Sequence, residues 1–305
     1  MNRKTIHIVA AIATAVLLSV ANRSAIAGGA LAVQFDPTNF SNGTVIDNPY
    51  WPLLPSGVST RTFRYIGDTD DECVIDVVST TTGDIKILAG DENADYAGFM
   101  AQVVLDTEWE VDDCDDIPTD DDLAELTYDW YAQDDFGNIW YLGEESRDFG
   151  DECPTTNEVP LGTDDWADYG YGDVQEDCTE GSWEAGQFGP EEEIVGEAGI
   201  VVPSDYPTGD EELTTGTYYM QEVAEGAEDM AKILKRNASV SIEDGDFAGD
   251  HENCRKVKEW TALEHGASVE HKYYCPGVNG PGLVLIKGIG GGPTESEVLV
   301  EMTSN

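Results

Sequence analysis

Tyr128-Asp-Trp-Tyr-Ala-Gln-Asp-Asp-Phe-Gly-Asn-Ile-Trp-Tyr-Leu-Gly-Glu144 decides the fold, because this stretch has the pattern of two β-strands joined by a tight turn. Aromatic and β-branched side chains, which favour strands, fill both of its ends. Asp134-Asp-Phe-Gly-Asn138 lies between them, and Gly and Asn tolerate the positive φ angles of a hairpin loop. The stretch therefore predicts an antiparallel hairpin near the middle of the chain.

Similar segments recur on both sides of this hairpin and are separated by short turns. They predict a mainly β fold, an antiparallel curved sheet or an open barrel or sandwich. One short helix is predicted over residues 225–235, because apolar residues there recur at spacings of three and four. The other predicted strands are 60–65, 74–80, 101–105, 217–221, 255–260, 268–274, 282–286 and 298–300.

The first 27 residues have the pattern of a secretory signal peptide. A basic start is followed by the apolar run 6–21 and by Ala25-Ile26-Ala27, after which cleavage is expected. The remaining residues 28–305 are predicted to form a single β-rich domain without a membrane span. Acidic loop insertions are expected near 111–124 and 145–180. The protein is therefore expected to be secreted, either periplasmic or extracellular.

The six cysteines are expected to form three disulfides, because an even number of cysteines in an exported chain favours such bonds. Cys254 and Cys275 lie on two neighbouring predicted strands, and Cys153 and Cys178 bracket an acidic insertion. The remaining pair is Cys73 and Cys114. None of the six forms a CxxC motif, which argues against a structural zinc site.

The charge balance is extreme, with 62 acidic residues against 15 Lys and Arg. Nucleic acid is disfavoured as a partner, because its binding requires basic patches that neutralise phosphates. The acidic excess favours cations as partners, a saline environment, or a role in keeping the protein soluble. Self-assembly of an acidic surface or matrix protein is one of the functions that this balance leaves open.

Several phrases along the chain together resemble an uncharacterised family of secreted bacterial β-rich proteins. The resemblance spans roughly residues 35–287 and implies location and fold, but no activity. The phrases are Asn48-Pro-Tyr-Trp-Pro-Leu-Leu-Pro-Ser-Gly57, the stretch 128–144 quoted above, Gly181-Ser-Trp-Glu-Ala-Gly186, Ala224-Glu-Gly-Ala-Glu-Asp-Met230 and Glu270-His-Lys-Tyr-Tyr-Cys-Pro-Gly-Val278.

Two acidic clusters beside cysteines are the first candidate site, for a divalent cation such as calcium. Calcium takes six to eight oxygen ligands. One cluster precedes Cys73 and the other flanks Cys114, so a disulfide between these two cysteines would bring both clusters together. The alternative is a pair of solvated acidic loops. The clusters are Asp68, Asp70, Asp71 and Glu72, and Asp112, Asp113, Asp115 and Asp116.

A second candidate site combines Glu222, Glu228 and Asp229, on or beside the predicted helix, with Glu259 and His271 on the late strands. Carboxylates and one histidine could ligate a metal or transfer protons. The alternative is a set of ordinary polar residues paired with nearby lysines. Aromatic residues on the strands form a third candidate, a concave face for a glycan or apolar ligand, with core packing as its alternative.

The function best supported by the sequence is that of an exported, non-catalytic binding protein for a calcium-like cation. No GxSxG, HExxH or Walker motif is present, so the chain is not expected to be an enzyme. The main alternative is a secreted hydrolase that uses Glu222, Glu259 and His271. The other alternative is the self-assembling acidic surface or matrix protein.

Calcium binding by the clustered carboxylates predicts that micromolar to millimolar calcium raises the melting temperature, because a ligand of the native state stabilises it. Differential scanning fluorimetry with calcium, a lanthanide and EDTA measures this effect. A melting temperature that none of these additions changes would contradict the cation hypothesis.

Overall fold

In the described part of the chain, fifteen β-strands form one sheet, and every ladder between them is antiparallel. The sheet is seen in a computed structural model, which describes thirteen ranges of the chain. These ranges are 33–51, 59–66, 73–80, 84–111, 117–119, 122–149, 181–189, 194–204, 215–243, 245–261, 269–277, 282–289 and 296–304.

All eight sequence-predicted strands outside the central hairpin coincide with observed strands. In chain order the strands are β1 (Ser59–Ile66), β2 (Cys73–Thr80), β3 (Ile85–Ile87), β4 (Met100–Val111), β5 (Leu123–Gln133), β6 (Ile139–Asp148), β7 (Trp183–Glu184), β8 (Glu197–Val202), β9 (Tyr218–Met220), β10 (Glu222–Val223), β11 (Asp229–Ile242), β12 (Gly249–Thr261), β13 (Val269–Cys275), β14 (Gly282–Gly288) and β15 (Ser296–Ser304).

The central hairpin is confirmed, with β5 and β6 joined by residues 134–138. Asp134 organises the turn, because its side chain accepts hydrogen bonds from the backbone N–H groups of Phe136 and Asn138. The same carboxylate accepts from the side chains of Asn138 and Trp140. Gly137 has a φ of 87°, a conformation that favours glycine.

The two ends of the sheet meet at one short segment of the chain. The strands follow the order β10-β8-β6-β5-β4-β2-β1-β15-β14-β13-β12-β11-β9, with β3 and β7 paired to its side. The path is open, yet its end strands β9 and β10 are separated in the chain by Gln221 alone. β9 pairs with β11 and β10 pairs with β8, so residues 218–223 hold both ends together.

The predicted helix over residues 225–235 is wrong, because most of this segment belongs to β11. Ala231 and Ile233 are buried on one face of the strand, and Met230 is buried on the other. A strand that buries both faces breaks strict alternation, and its apolar spacing then imitates a helix. The segment forms a strand because its backbone pairs with β12 from Asp229 to Ile242. The described residues contain a single helical turn, a 3-10 turn at Pro37–Asn39.

The predicted disulfide between Cys254 and Cys275 is confirmed, and it joins β12 to β13. Both residues are buried in an apolar cluster with Phe63, Val284 and Leu299. Cys114, Cys153 and Cys178 lie outside the described residues, and so do the predicted signal peptide, half of the acidic insertion at 111–124 and most of the one at 145–180. No helix in the described part of the chain is long and apolar enough to cross a bilayer.

Gly199 allows β8 to approach the segment that joins the two sheet ends. A Cβ at this position would lie 2.0 Å from the backbone oxygen of Gln221. We therefore expect Gly199→Ala to lower the free energy of unfolding by roughly 1–3 kcal/mol, because a backbone atom must move to relieve the clash. Urea unfolding measures the change.

Gly43→Ala is the matched control, since the nearest atoms to its added Cβ lie 3.4 Å away and belong to side chains. Equal stability losses in the two variants would contradict a special role for Gly199 at the meeting point of the sheet ends.

Candidate functional site

The concave face of the sheet holds a cavity of about 230 Å³. Side chains from ten strands line it, drawn from β1, β4, β5, β6, β8 and β10 on one side and β11 to β14 on the other. Alternate residues of a strand point to opposite faces, so every second residue of these strands is directed inward. Gln221 also lines the cavity, at the place where the two sheet ends meet.

Carboxylates outnumber cations in the cavity wall. Its acidic residues are Asp106, Asp129, Glu222, Asp229 and Glu259, and its basic residues are Arg61 and Lys272. Such an excess is unusual in an interior, where charged groups are costly unless they are paired.

Three residues of the second sequence-predicted site meet in this cavity: Glu222, Asp229 and Glu259. The structure places His271 elsewhere. In the ladder between β12 and β13, Lys258 is opposite His271 and Glu259 is opposite Glu270. His271 therefore points to the convex face while Glu259 points inward. Glu228, which precedes β11, is not among the lining residues.

Tyr141 links two carboxyl groups of the central hairpin. Its hydroxyl lies 2.5 Å from Asp129 Oδ1 and is also within hydrogen-bond distance of Glu144 Oε2. A phenol carries one hydrogen, so it can donate to only one of the two groups, and the other must supply a proton itself. Asp129 and Glu144 are directly opposite in the ladder between β5 and β6. Two like charges there would repel each other.

Burial and neighbouring carboxylates shift both groups toward the protonated form. Burial raises the pKa of Glu144 to about 7, and neighbouring carboxylates add to the effect. The pKa of Asp129 also lies well above its ordinary value, first because of burial and then because of Glu144. Part of the acidity on this side of the cavity is therefore held in neutral form near neutral pH.

The carboxyl groups at the place where the two sheet ends meet show the same pattern. Burial raises the pKa of Glu222 well above its ordinary value, with further contributions from Glu144 and Asp229. No described side chain donates a hydrogen bond to Glu222 or forms an ion pair with it. Burial also raises the pKa of Asp229, although Lys272 opposes the shift.

Glu259 forms an ion pair with Lys272 inside the cavity wall. Lys272 Nζ lies 2.8 Å from Glu259 Oε2, and the Tyr274 hydroxyl donates to Glu259 Oε1 at 3.2 Å. Although burial opposes it, the charge of Glu259 raises the pKa of Lys272 well above its ordinary value. This pair is neutral overall, so Glu259 adds no net charge to the cavity.

Aromatic rings cover one wall of the cavity. Tyr131 and Tyr141 stack with centroids 4.8 Å apart, and Trp51 meets Tyr131 edge-on at 4.6 Å. Tyr274 lines the other side. The sequence-predicted concave aromatic face thus corresponds partly to this wall, while rings such as Trp140 belong to the packed core.

Sequence reasoning missed Asp106, Asp129 and Glu144 as site residues. The sequence did contain one signal of a buried acidic site. Acidic residues occupy positions in aromatic strands that strict alternation assigns to the interior face. The acidic clusters at 68–72 and 112–116 lie outside the described residues, so calcium binding there stays a prediction. Within the described ranges, no three His, Cys, Asp or Glu side chains are arranged to hold a metal ion.

Comparison with known proteins adds little. No protein-family model matches the sequence, and no curated protein matches it significantly. A structure from Bacteroides fragilis NCTC 9343, described as an exported protein with a YmcC-like fold, has 10% identity and a TM-score of 0.34. The matched region covers 83% of this chain and 98% of the Bacteroides chain.

A structure from Parabacteroides distasonis ATCC 8503, described as a lipoprotein, has 8% identity and a TM-score of 0.32. The matched region covers 84% of this chain and 99% of the Parabacteroides chain. Similarities at these TM-scores do not establish a shared fold, so export and family membership stay predictions.

The raised carboxyl pKa values predict an unusual dependence of stability on pH. The folded chain binds more protons than the unfolded chain between the ordinary Glu pKa of 4.5 and the Glu144 pKa of about 7. The free energy of unfolding contributed by this group is therefore present at low pH and is lost as the pH rises through this window. Glu144→Gln should reduce the loss, because an amide stays neutral at every pH.

Urea unfolding across this pH window measures the effect, with Glu110→Gln as the control. Glu110 is an exposed strand residue of β4, so its replacement removes the same charge without changing the cavity. An equal change in the pH dependence of both variants would mean that general charge repulsion, rather than the buried group, causes the loss.

Proposed function

We propose that the protein is an exported, non-catalytic binding protein whose cavity takes a small organic cation that carries an amine. The observation that carries the proposal is the cavity wall, where five carboxylates face two cations. This ligand differs from the calcium-like cation expected from the sequence at the acidic loops, and its site lies on the concave face of the sheet.

The protonation state of the lining acids, and of Glu144 behind the lining residue Tyr141, supports a cationic ligand. Asp129, Glu144, Glu222 and Asp229 all have raised pKa values, which means that their ionised forms lack sufficient stabilisation in the unliganded protein. An ammonium group in the cavity would stabilise those ionised forms. Binding would therefore release protons, whereas a neutral or anionic ligand would not.

The size and the aromatic lining support a small molecule rather than a bare metal ion. A volume of about 230 Å³ lies below the usual range for drug-sized ligands. The electron-rich faces of tyrosine and tryptophan attract cations, so the wall of Trp51, Tyr131 and Tyr141 complements the acidic wall. Putrescine, choline and arginine are suitable probes of this chemistry.

The hydrolase alternative requires His271 and Glu259 to act together, but these residues lie on opposite faces of the sheet. Calcium binding by Asp68, Asp70, Asp71, Glu72, Asp112, Asp113, Asp115 and Asp116 remains a separate proposal. It does not compete for the cavity, and titration with EDTA tests it independently.

We expect Glu222→Gln to separate ligand binding from stability. The variant should raise the free energy of unfolding of the unliganded protein at neutral pH, because it removes a carboxyl with a raised pKa. It should also weaken amine binding by about tenfold or more, since a charge-assisted contact is lost. Urea unfolding and isothermal titration calorimetry measure the two effects.

Glu110→Gln serves as the control and should leave both quantities unchanged, because Glu110 is exposed on β4. Calorimetry of the wild-type protein in buffers with different ionisation enthalpies should show proton release on amine binding. If none of the three amines binds, or if acetate and glucose bind more tightly than they do, the proposal is wrong.

A further inference from the structure

The convex face of strands β9 and β11 to β14 carries a cluster of positive charge in a strongly acidic protein. Cross-strand neighbours form a row through Tyr218, Lys232, Lys258, His271 and Lys287. The adjoining row contains Lys235, Lys256 and Tyr273. We call this surface the lysine face, defined by Lys232, Lys235, Lys256, Lys258, His271 and Lys287. It holds five of the eight lysines of the chain.

These five lysines have no acidic partner among the described residues, where the recorded ion pairs are those of Lys86 and Lys272. Three of them lie over aromatic rings instead. Lys232 Nζ is 4.3 Å from the centroid of Tyr218, Lys258 Nζ is 4.7 Å from that of Trp260, and Lys256 Nζ is 5.2 Å from that of Tyr273. Cation–π contacts of this kind position an ammonium group without neutralising it.

The electrostatics of His271 show that the charges act together. Its partly buried position lowers its pKa, and Lys256, Lys258 and Lys287 lower the pKa further. The repulsion among these groups is not relieved by any described carboxylate, although the chain contains 62 acidic residues. An anionic partner would relieve it, so the charge of the lysine face is complementary to a ligand of opposite sign.

We propose that the lysine face binds a linear anionic polysaccharide, with sugar carboxylate or sulfate groups placed against successive lysines. Adjacent strands are about 4.8 Å apart, so the row of five strands presents its groups over about 19 Å. The interleaved tyrosine and tryptophan rings add apolar surface for the sugar rings. This inference goes beyond the proposed cavity function and is independent of it, because the two sites lie on opposite faces of the sheet.

The curvature of the face favours a flexible polymer over a membrane. The lysine face is convex, because Glu259, Lys272 and Tyr274 of the same strands point into the cavity. A flat bilayer would touch only part of a convex row, whereas a flexible chain can follow it. The acidic surface elsewhere limits the length of polymer that gains affinity, because a longer chain runs onto negatively charged protein.

Binding of oligogalacturonates of increasing length and of dextran sulfate tests the proposal, measured by calorimetry at low and at physiological ionic strength. We expect affinity to rise with length up to about the 19 Å span, to level off beyond it, and to fall with salt. Replacing Lys232, Lys256, Lys258 and Lys287 together by glutamine should weaken binding about tenfold or more.

Single replacements provide the matched comparison and guard against a misfolded multiple variant. Lys258→Gln should weaken binding, whereas Lys86→Gln should not, because Lys86 lies on β3 and contacts Glu184. Circular dichroism checks that each variant keeps its strand content. Three results would overturn the proposal. The wild type could bind neither polyanion, Lys258→Gln could bind as tightly as the wild type, or the protein could prefer anionic lipid vesicles or DNA.

Discussion

The structure depends on the hydrogen bonds that one short segment makes to both ends of the sheet. A sheet edge presents unpaired backbone donors and acceptors, which a protein must cover or pair. Here β9 satisfies the edge of β11 and β10 satisfies the edge of β8, with Gln221 between them donating to the backbone oxygen of Asp229. The long curved sheet can therefore hold a cavity on its concave face.

The carboxylates in that cavity oppose folding rather than support it. A conventional apolar lining would stabilise the chain more, since charged and hydrogen-bonding groups lose their hydration when buried. The protein instead keeps protons on some of these acids and pairs Glu259 with Lys272. Natural proteins accept such a cost mostly where a site requires it. The interior thus resembles a binding site that is incomplete without its ligand.

Ten of the fifteen strands among the described residues could be predicted from the sequence, because alternation is a local property of each segment. The Asp134 turn was equally explicit, and the disulfide followed from two neighbouring strands. The helix prediction failed because β11 buries both of its faces, which is a tertiary property. The direction in which a side chain points also depends on tertiary pairing, since irregular ladders such as that at Asp129 change the alternation.

For the same reason the site was only partly predictable. Glu222, Asp229 and Glu259 were identified as a group, but the histidine joined to them lies on the other face. Asp129 and Glu144 were overlooked because acid density in the sequence directs attention to loops. A single acidic residue at an inward position of an aromatic strand is more informative than a run of acids, because burial changes its chemistry.

The strict alternation of charge along β12 has a consequence for how the protein can evolve. Lys256 and Lys258 face outward while Arg255, Val257 and Glu259 face inward, and the Cys254–Cys275 bond fixes this arrangement against β13. Inserting or deleting one residue here would exchange the two sets, placing lysines in the cavity and the acid outside. Length changes in this strand should therefore be accepted only in pairs of residues.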